Sequence, residues 1–201
     1  MNTGRLETFA DGVFAIAATL LILSVDGHFG SCAPAGATLK HQLECSWPSY
    51  VAYVVSFLTI GIIWVNHHTV MDQIARTDRT YLFLSVGFLM CVAFIPFPTR
   101  LVAEHVRGEG AEAAALTYGF TLTVTAVMFN AIWFYAVRGR RLLREDCDPR
   151  VISGITRSYL PGPWIYLVST LVAFASPTAS VLLYMALALF YVAESSVFAR
   201  R

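Results

Sequence analysis

The stretch RLETFADGVFAIAATLLILSV, residues 5–25, decides the fold class. From Gly12 to Val25 it is almost wholly apolar, as a helix crossing a bilayer must be. Yet Arg5, Glu7 and Asp11 stand at its start. Charge near bilayer depth is costly and usually has a partner or a task. The rest of the chain agrees with the apolar reading. Of its 201 residues, 57% are hydrophobic and 13% charged, and mean hydropathy is +0.62. A soluble domain carries about 25% charged residues. The class is therefore all-α integral membrane protein, because the apolar runs are continuous and do not alternate as barrel strands would.

Six such runs are predicted to span, over 8–27, 48–71, 79–102, 112–137, 158–176 and 179–199. A hydrocarbon core of about 30 Å needs about 20 helical residues. Pro161 and Pro163 suit the start of the fifth helix rather than its interior. SPTAS at 176–180 predicts the turn before the sixth. The loops at 28–47 and 138–157 are too short for a domain of their own, so residues 1–201 are expected to form one membrane domain. The first run lacks a convincing cleavage site and is expected to be a mature helix.

Basic residues set the expected orientation. With the N-terminus inside, Arg5, Arg76, Arg79, Arg138, Arg140, Arg141, Arg144, Arg150, Arg157, Arg200 and Arg201 lie inside. Only Lys40, Arg100 and Arg107 lie outside, eleven against three, which predicts both termini in the cytoplasm. Cys32 and Cys45 then share an outer loop. A disulfide between them and a pair of free thiols are about equally expected. A net charge of +1 gives no reason to expect nucleic acid.

Enzyme machinery is missing from the sequence: there is no GxxxxGK[ST], GxSxG or HExxH. His67 and His68 are adjacent, so on a helix they point about 100° apart and cannot grip one ion. The expectation for both is hydrogen bonding to a neighbouring helix, with no metal and no cofactor. TYGF at 117–120 reads as plain helix, so no TVGYG filter is expected. On the first helix, Ile16, Leu20 and Leu23 share one face, with Thr19 at its flank. Ordinary buried membrane helices show the same spacing. The charged opening is what that reading leaves over. Trp64, Asn66, His67 and His68 form a polar cluster on the second predicted helix.

RLETFADG resembles the signature of the transmembrane protein 175 family of potassium channels, in its bacterial branch. That signature is a basic residue, three variable positions, then Phe-Ser-Asp at the start of the first helix. Arg5, Phe9 and Asp11 match, Gly12 fits the usual continuation, and Ala10 replaces the serine. WVNHH at 64–68 is similar to the family's second-helix pattern. The resemblance implies a homotetramer in the bacterial cell membrane, conducting potassium, with the first helix of each subunit around the pore. Ile16, Leu20 and Leu23 would form its hydrophobic constriction, with Thr19 beside them. Arg5, Phe9, Asp11 and Gly12 would anchor the pore helix, with Asp11 accepting from donors such as those of Trp64, Asn66 or His67. Only one copy of the motif occurs, because Arg79 and Phe83 repeat its spacing without an aspartate. The rival expectation is a proton- or cation-coupled transporter relaying through Asp11 and His67 or His68. Phe129, Trp133, Phe134, Tyr184 and Phe190 are expected to face lipid.

Overall fold

A computed structural model describes residues 3–26, 32–105 and 108–198, excluding the side chains of 192–198. Arg107, Arg200 and Arg201, and the predicted span ends at 27 and 199, lie outside the described residues. Four helical stretches there are long and apolar enough to cross a membrane: Gly4–Val25, Trp47–Asp72, Arg79–His105 and Ala111–Arg140. Among the described residues no strand forms, and one isolated bridge joins Ile74 to Leu143.

The first stretch is helix α1 (Gly4–Leu20), a turn, and the short α2 (Leu23–Asp26). Helix α3 (Leu39–Cys45) leads directly into α4 (Trp47–Asp72), which carries Pro48 in its first turn, where a missing N–H costs nothing. Helix α5 (Arg79–Phe94) opens on Asp78, whose side chain accepts from the Tyr81 N–H at 2.8 Å. The third predicted span is broken at Ile95. Pro96 has no N–H to continue the ladder, and the chain resumes as α6 (Pro96–His105).

Helix α7 (Ala111–Val137) is the centre of the subunit, with eleven buried residues among its 27. It ends in a 3-10 turn at Arg138–Arg140, where Gly139 has φ +69°. Helix α8 (Pro149–Tyr159) is capped by Asp148. Helix α9 (Gly162–Leu171) starts with Pro161 at its cap, and a 3-10 turn at Val172–Phe174 follows it. The fifth predicted span, 158–176, is therefore α9 with its 3-10 continuation, opening at Pro161 and Pro163 as expected, while α8 lies before it. Helix α10 (Pro177–Phe198) closes the chain.

The core joins α1, α4, α5 and α7 around Phe14, Tyr81, Phe88 and Trp133. Polar groups at depth bond to each other, as a bilayer requires. Thr99 Oγ1 donates to Ser56 Oγ at 2.8 Å, and Ser56 Oγ lies 3.1 Å from the Tyr118 hydroxyl. Tyr184 and Thr170 hydroxyls pair at 3.0 Å across α7, directly over Gly119. A side chain at Gly119 would collide with both, so only glycine lets α9 and α10 close on α7 there. Trp133 and Tyr184 do not face lipid. The Trp133 indole N–H donates to Thr156 Oγ1 at 2.9 Å, so both rings have inward polar partners and are buried. Phe134 and Phe190 are exposed.

One end of the bundle is closed by loop pairing. The Ala75 N–H donates to Leu142 O, and the Arg144 N–H to Gln73 O, each at 3.0 Å. Asp78 Oδ2 accepts from the Tyr135 hydroxyl at 2.8 Å, and Arg141 lies 3.6 Å from the same carboxylate. The Tyr81 N–H and the Tyr135 hydroxyl hold the Asp78 carboxyl below its ordinary value of 3.8, with Arg141 adding to the effect. The buried Cys147 thiol donates to Gln73 Oε1 at 3.3 Å.

Candidate pore-lining site

Helix α1 has two unlike faces. Leu6, Ala10, Phe14, Ala17 and Leu21 recur every three or four residues and are buried against α4 and α5. The opposite face holds Arg5, Phe9, Gly12, Ile16, Thr19, Leu20 and Leu23, and all seven are exposed among the described residues. Ile16 is 61% exposed, Leu20 43% and Leu23 54%. Ala10, where the resembled signature has serine, is buried completely. A Cβ added to Gly12 would meet open space.

The bare face lacks unsatisfied side-chain polarity where it is greasiest. The Thr19 hydroxyl donates back to Ala15 O at 2.9 Å and Ile16 O at 3.0 Å. Such back-bonding loosens the local ladder. The regular helix ends one residue later, and i→i−3 bonds from Ile22 to Thr19, Ser24 to Leu21 and Val25 to Ile22 carry the chain on. That turn exposes Ile22 as well, a residue a straight-helix projection leaves off the stripe.

The charged opening is tied to α4. The Trp64 indole N–H donates to Asp11 Oδ1 at 2.8 Å. His68 Nδ1 lies 3.4 Å from Glu7 Oε1, and the His68 ring stacks on Trp64 with centroids 6.2 Å apart. Of the three donors expected for Asp11, the structure uses the tryptophan. Asn66 instead accepts from the Tyr159 hydroxyl, at a long 3.5 Å. Among the described residues His67 makes no bond to a neighbouring helix. It is buried between Phe14 and Phe88, with centroids at 5.6 Å and 5.7 Å, and its Nε2 has no partner. Arg5 is exposed and forms no ion pair among the described residues. Among the described residues no group of three or more His, Cys, Asp or Glu could hold a metal. Cys32 and Cys45 are joined as a disulfide with Cα atoms 5.9 Å apart.

The chain is similar to known proteins. Residues 5–96 match the family described as endosomal/lysosomal potassium channel TMEM175. A potassium channel of Chamaesiphon minutus is 38% identical over 97% of this chain and 96% of its own. The chain belongs to the TMEM175 family. A potassium channel of Streptomyces collinus is 42% identical over 94% of this chain and 91% of its own length. The crystal structure of a lysosomal potassium-selective TMEM175 homolog from Chamaesiphon minutus matches with a TM-score of 0.83. Identity there is 36%, over 96% of this chain and 97% of that one. TMEM175 proteins are ion channels and not enzymes, and the apolar helices make this one an integral membrane protein.

Proposed function

We propose that this TMEM175 chain is one subunit of a homotetrameric potassium-permeable channel of the bacterial cell membrane. Residues 1–201 form a single six-span domain, both termini lie in the cytoplasm, and α1 of each copy lines the pore. The observation that carries this reading is the bare apolar face of α1, set opposite a face that packs fully into its own subunit. One such face cannot enclose a path for ions, and symmetric closure supplies the others. With helices about 10 Å in diameter, four copies leave a constriction of a few ångströms. The relatives at 38% and 42% identity, both named potassium channels, support potassium as the permeant ion.

Ile16, Leu20 and Leu23 form the constriction, with Thr19 beside it. A narrow ring of such side chains gates by dewetting, without a TVGYG-type filter. Arg5, Phe9, Asp11 and Gly12 stand at the cytoplasmic start of the pore helix, and the Trp64–Asp11 hydrogen bond fixes its tilt against α4. The channel works without a cofactor, its partners being further copies of itself, potassium and lipid. A coupled transporter gains nothing from the geometry. Asp11 is held by Trp64, His68 lies beside Glu7 and His67 sits among rings, so no direct hydrogen bond links the three among the described residues.

Recording from purified protein in planar bilayers under a potassium gradient tests the proposal. Ohmic current reversing near the potassium potential is expected, and Leu20→Asn should raise conductance. Slow saturable flux, or silence with an intact tetramer, overturns it. Native mass spectrometry checks the assembly, and a monomer or dimer as the sole species refutes it.

A further inference from the structure

Helix α8 is strongly two-sided. Ile152, Ile155 and Tyr159 pack against the core, while Arg150 and Arg157, seven residues apart, fall together on the exposed opposite face. The helix lies between the end of α7, which is long enough to cross a membrane, and the start of the apolar α9. That places it at one boundary of the bilayer, where a two-sided helix lies along the headgroups. Exposed Leu160 and Trp164 follow it, as suits that depth.

Where α8 meets the end of α7 there is an open groove of about 440 Å³. Val137, Pro149 and Ile152 give it apolar walls. Arg140, from the turn after α7, and Arg157, from α8, line it as well, and no acidic side chain does among the described residues. Its hydroxyls have already given their protons. Ser153 Oγ donates to Arg150 O at 2.9 Å, and Thr156 Oγ1 donates to Ile152 O at 2.8 Å. The arginines are the donors that remain. Arg140 spends one N–H on Cys147 O at 2.8 Å, and Arg157 enters no ion pair among the described residues. The nearby acids are engaged elsewhere: Asp146 lies 3.6 Å from Arg144, and Asp148 accepts from the Arg150 N–H at 2.7 Å. Arg140 also has φ +54°, a left-handed conformation that favours glycine, so an arginine is a costly choice for the turn alone.

We propose that this groove holds the headgroup of an anionic phospholipid. Its phosphodiester sits between Arg140 and Arg157, and its glycerol and upper acyl chain lie along Val137, Pro149 and Ile152. Arginine suits a phosphate because its planar fork offers two parallel N–H donors. A zwitterionic phospholipid brings the same phosphate together with a cation that finds no carboxylate in the groove. A soluble phosphate would satisfy the arginines but leave the apolar walls bare. Binding is read without current, so its failure and that of the channel reading are separate outcomes.

The full chain, released from micelles holding equal amounts of phosphatidylglycerol and phosphatidylcholine of one chain length, tests the proposal by native mass spectrometry of retained lipid. Preferential retention of phosphatidylglycerol is expected. Arg157→Gln should lower that preference about fivefold. Arg100→Gln removes the same charge from α6 at the other end of the bundle and should change it by less than about twofold. Ser153→Phe puts a ring into the groove at unchanged charge and should weaken the preference as Arg157→Gln does. It decides the matter if Arg157→Gln fails to fold. Equal retention of both lipids, no loss in Arg157→Gln, an equal loss in Arg100→Gln, or an unaltered preference in Ser153→Phe overturns the proposal. Displacement of the lipid by glycerol phosphate at the same concentration does so too, because the arginines would then serve a soluble phosphate.

Discussion

Helices α1 and α7 are both long, apolar and uninterrupted by proline, yet they occupy opposite kinds of place. Helix α7 is the more covered: eleven of its 27 residues are buried on a broad face, and an exposed stripe of Phe120, Val127 and Phe134 runs along the other. Helix α1 is covered on one side only, with four buried residues of 17. The difference is not hydrophobicity, since neither helix would object to lipid. It lies in what each surface is shaped for. Helix α7 carries Gly119, Thr121, Thr125 and Asn130, small or polar groups that let neighbours approach and bond. The bare side of α1 carries bulky Ile and Leu with open space above them. A membrane helix that keeps such a side bare is available to another copy.

That contrast can be broken at several points. The largest effect is expected at the hub. Gly119→Leu drives a side chain into the Tyr184 and Thr170 hydroxyls and should eliminate folded protein, read as loss of a monodisperse peak in size exclusion. A normal peak would show that α7 is not the hub. Phe14→Ala, on the covered side of α1, should cost about 2 kcal/mol in reversible unfolding. That is below the about 3–5 kcal/mol of a water-soluble core, because lipid is as apolar as the site vacated. Trp64→Phe keeps the ring but removes the donor to Asp11. About 1 kcal/mol is expected, modest because the pair is exposed, and it should appear as a lowered unfolding midpoint.

A smaller, pH-dependent effect belongs to the loop corner at Asp78. Its carboxyl is held below 3.8 by the Tyr81 N–H first and the Tyr135 hydroxyl second. A depressed acid stabilises the folded state above its unfolded value, and the contribution is lost as pH falls through the folded value. Wild-type protein should therefore lose more thermal stability than Asp78→Asn when pH is lowered below about 4, where an ordinary aspartate titrates. Parallel curves for the two would remove Asp78 from the account. The smallest effect on stability is expected on the bare side of α1. Ile16→Ala should leave subunit unfolding unchanged within about 0.5 kcal/mol while altering single-channel current. A large loss of stability with unaltered current would sharpen the comparison in the other direction, making that side a packing surface only.

Much of this was legible in the sequence where one residue type has one way to be satisfied. An aspartate at the head of an apolar run demanded a donor, and Trp64, Asn66 and His67 marked the helix that supplies it. Which of the three donates depends on how α4 is rotated against α1, and no local pattern encodes that. His67 was expected to bond and instead stacks, because Phe14 and Phe88 converge from two other helices. Trp133 and Tyr184 were placed outside by the rule that amphipathic rings favour the membrane boundary. Their partners Thr156 and Thr170 lie 23 and 14 residues away in the chain, which composition cannot show. The break at Pro96 was visible as a proline inside an apolar run, but a run of hydropathy does not register it. The loop corner was least legible, since Gln73, Asp78, Tyr135 and Cys147 look like unrelated polar residues until α7 turns back through Gly139.

Thr19 has a consequence for the making of the protein. Because its hydroxyl is satisfied within its own turn, the bare side of α1 offers lipid no unpaired polar side chain between Gly12 and Leu23. A newly inserted subunit can reside alone in the bilayer without a polar defect on that side. Nothing on that surface forces immediate capture by a sister chain or marks the orphan for destruction. Folding and association can be separated in time, and the rate at which complete complexes appear would follow subunit abundance in the membrane.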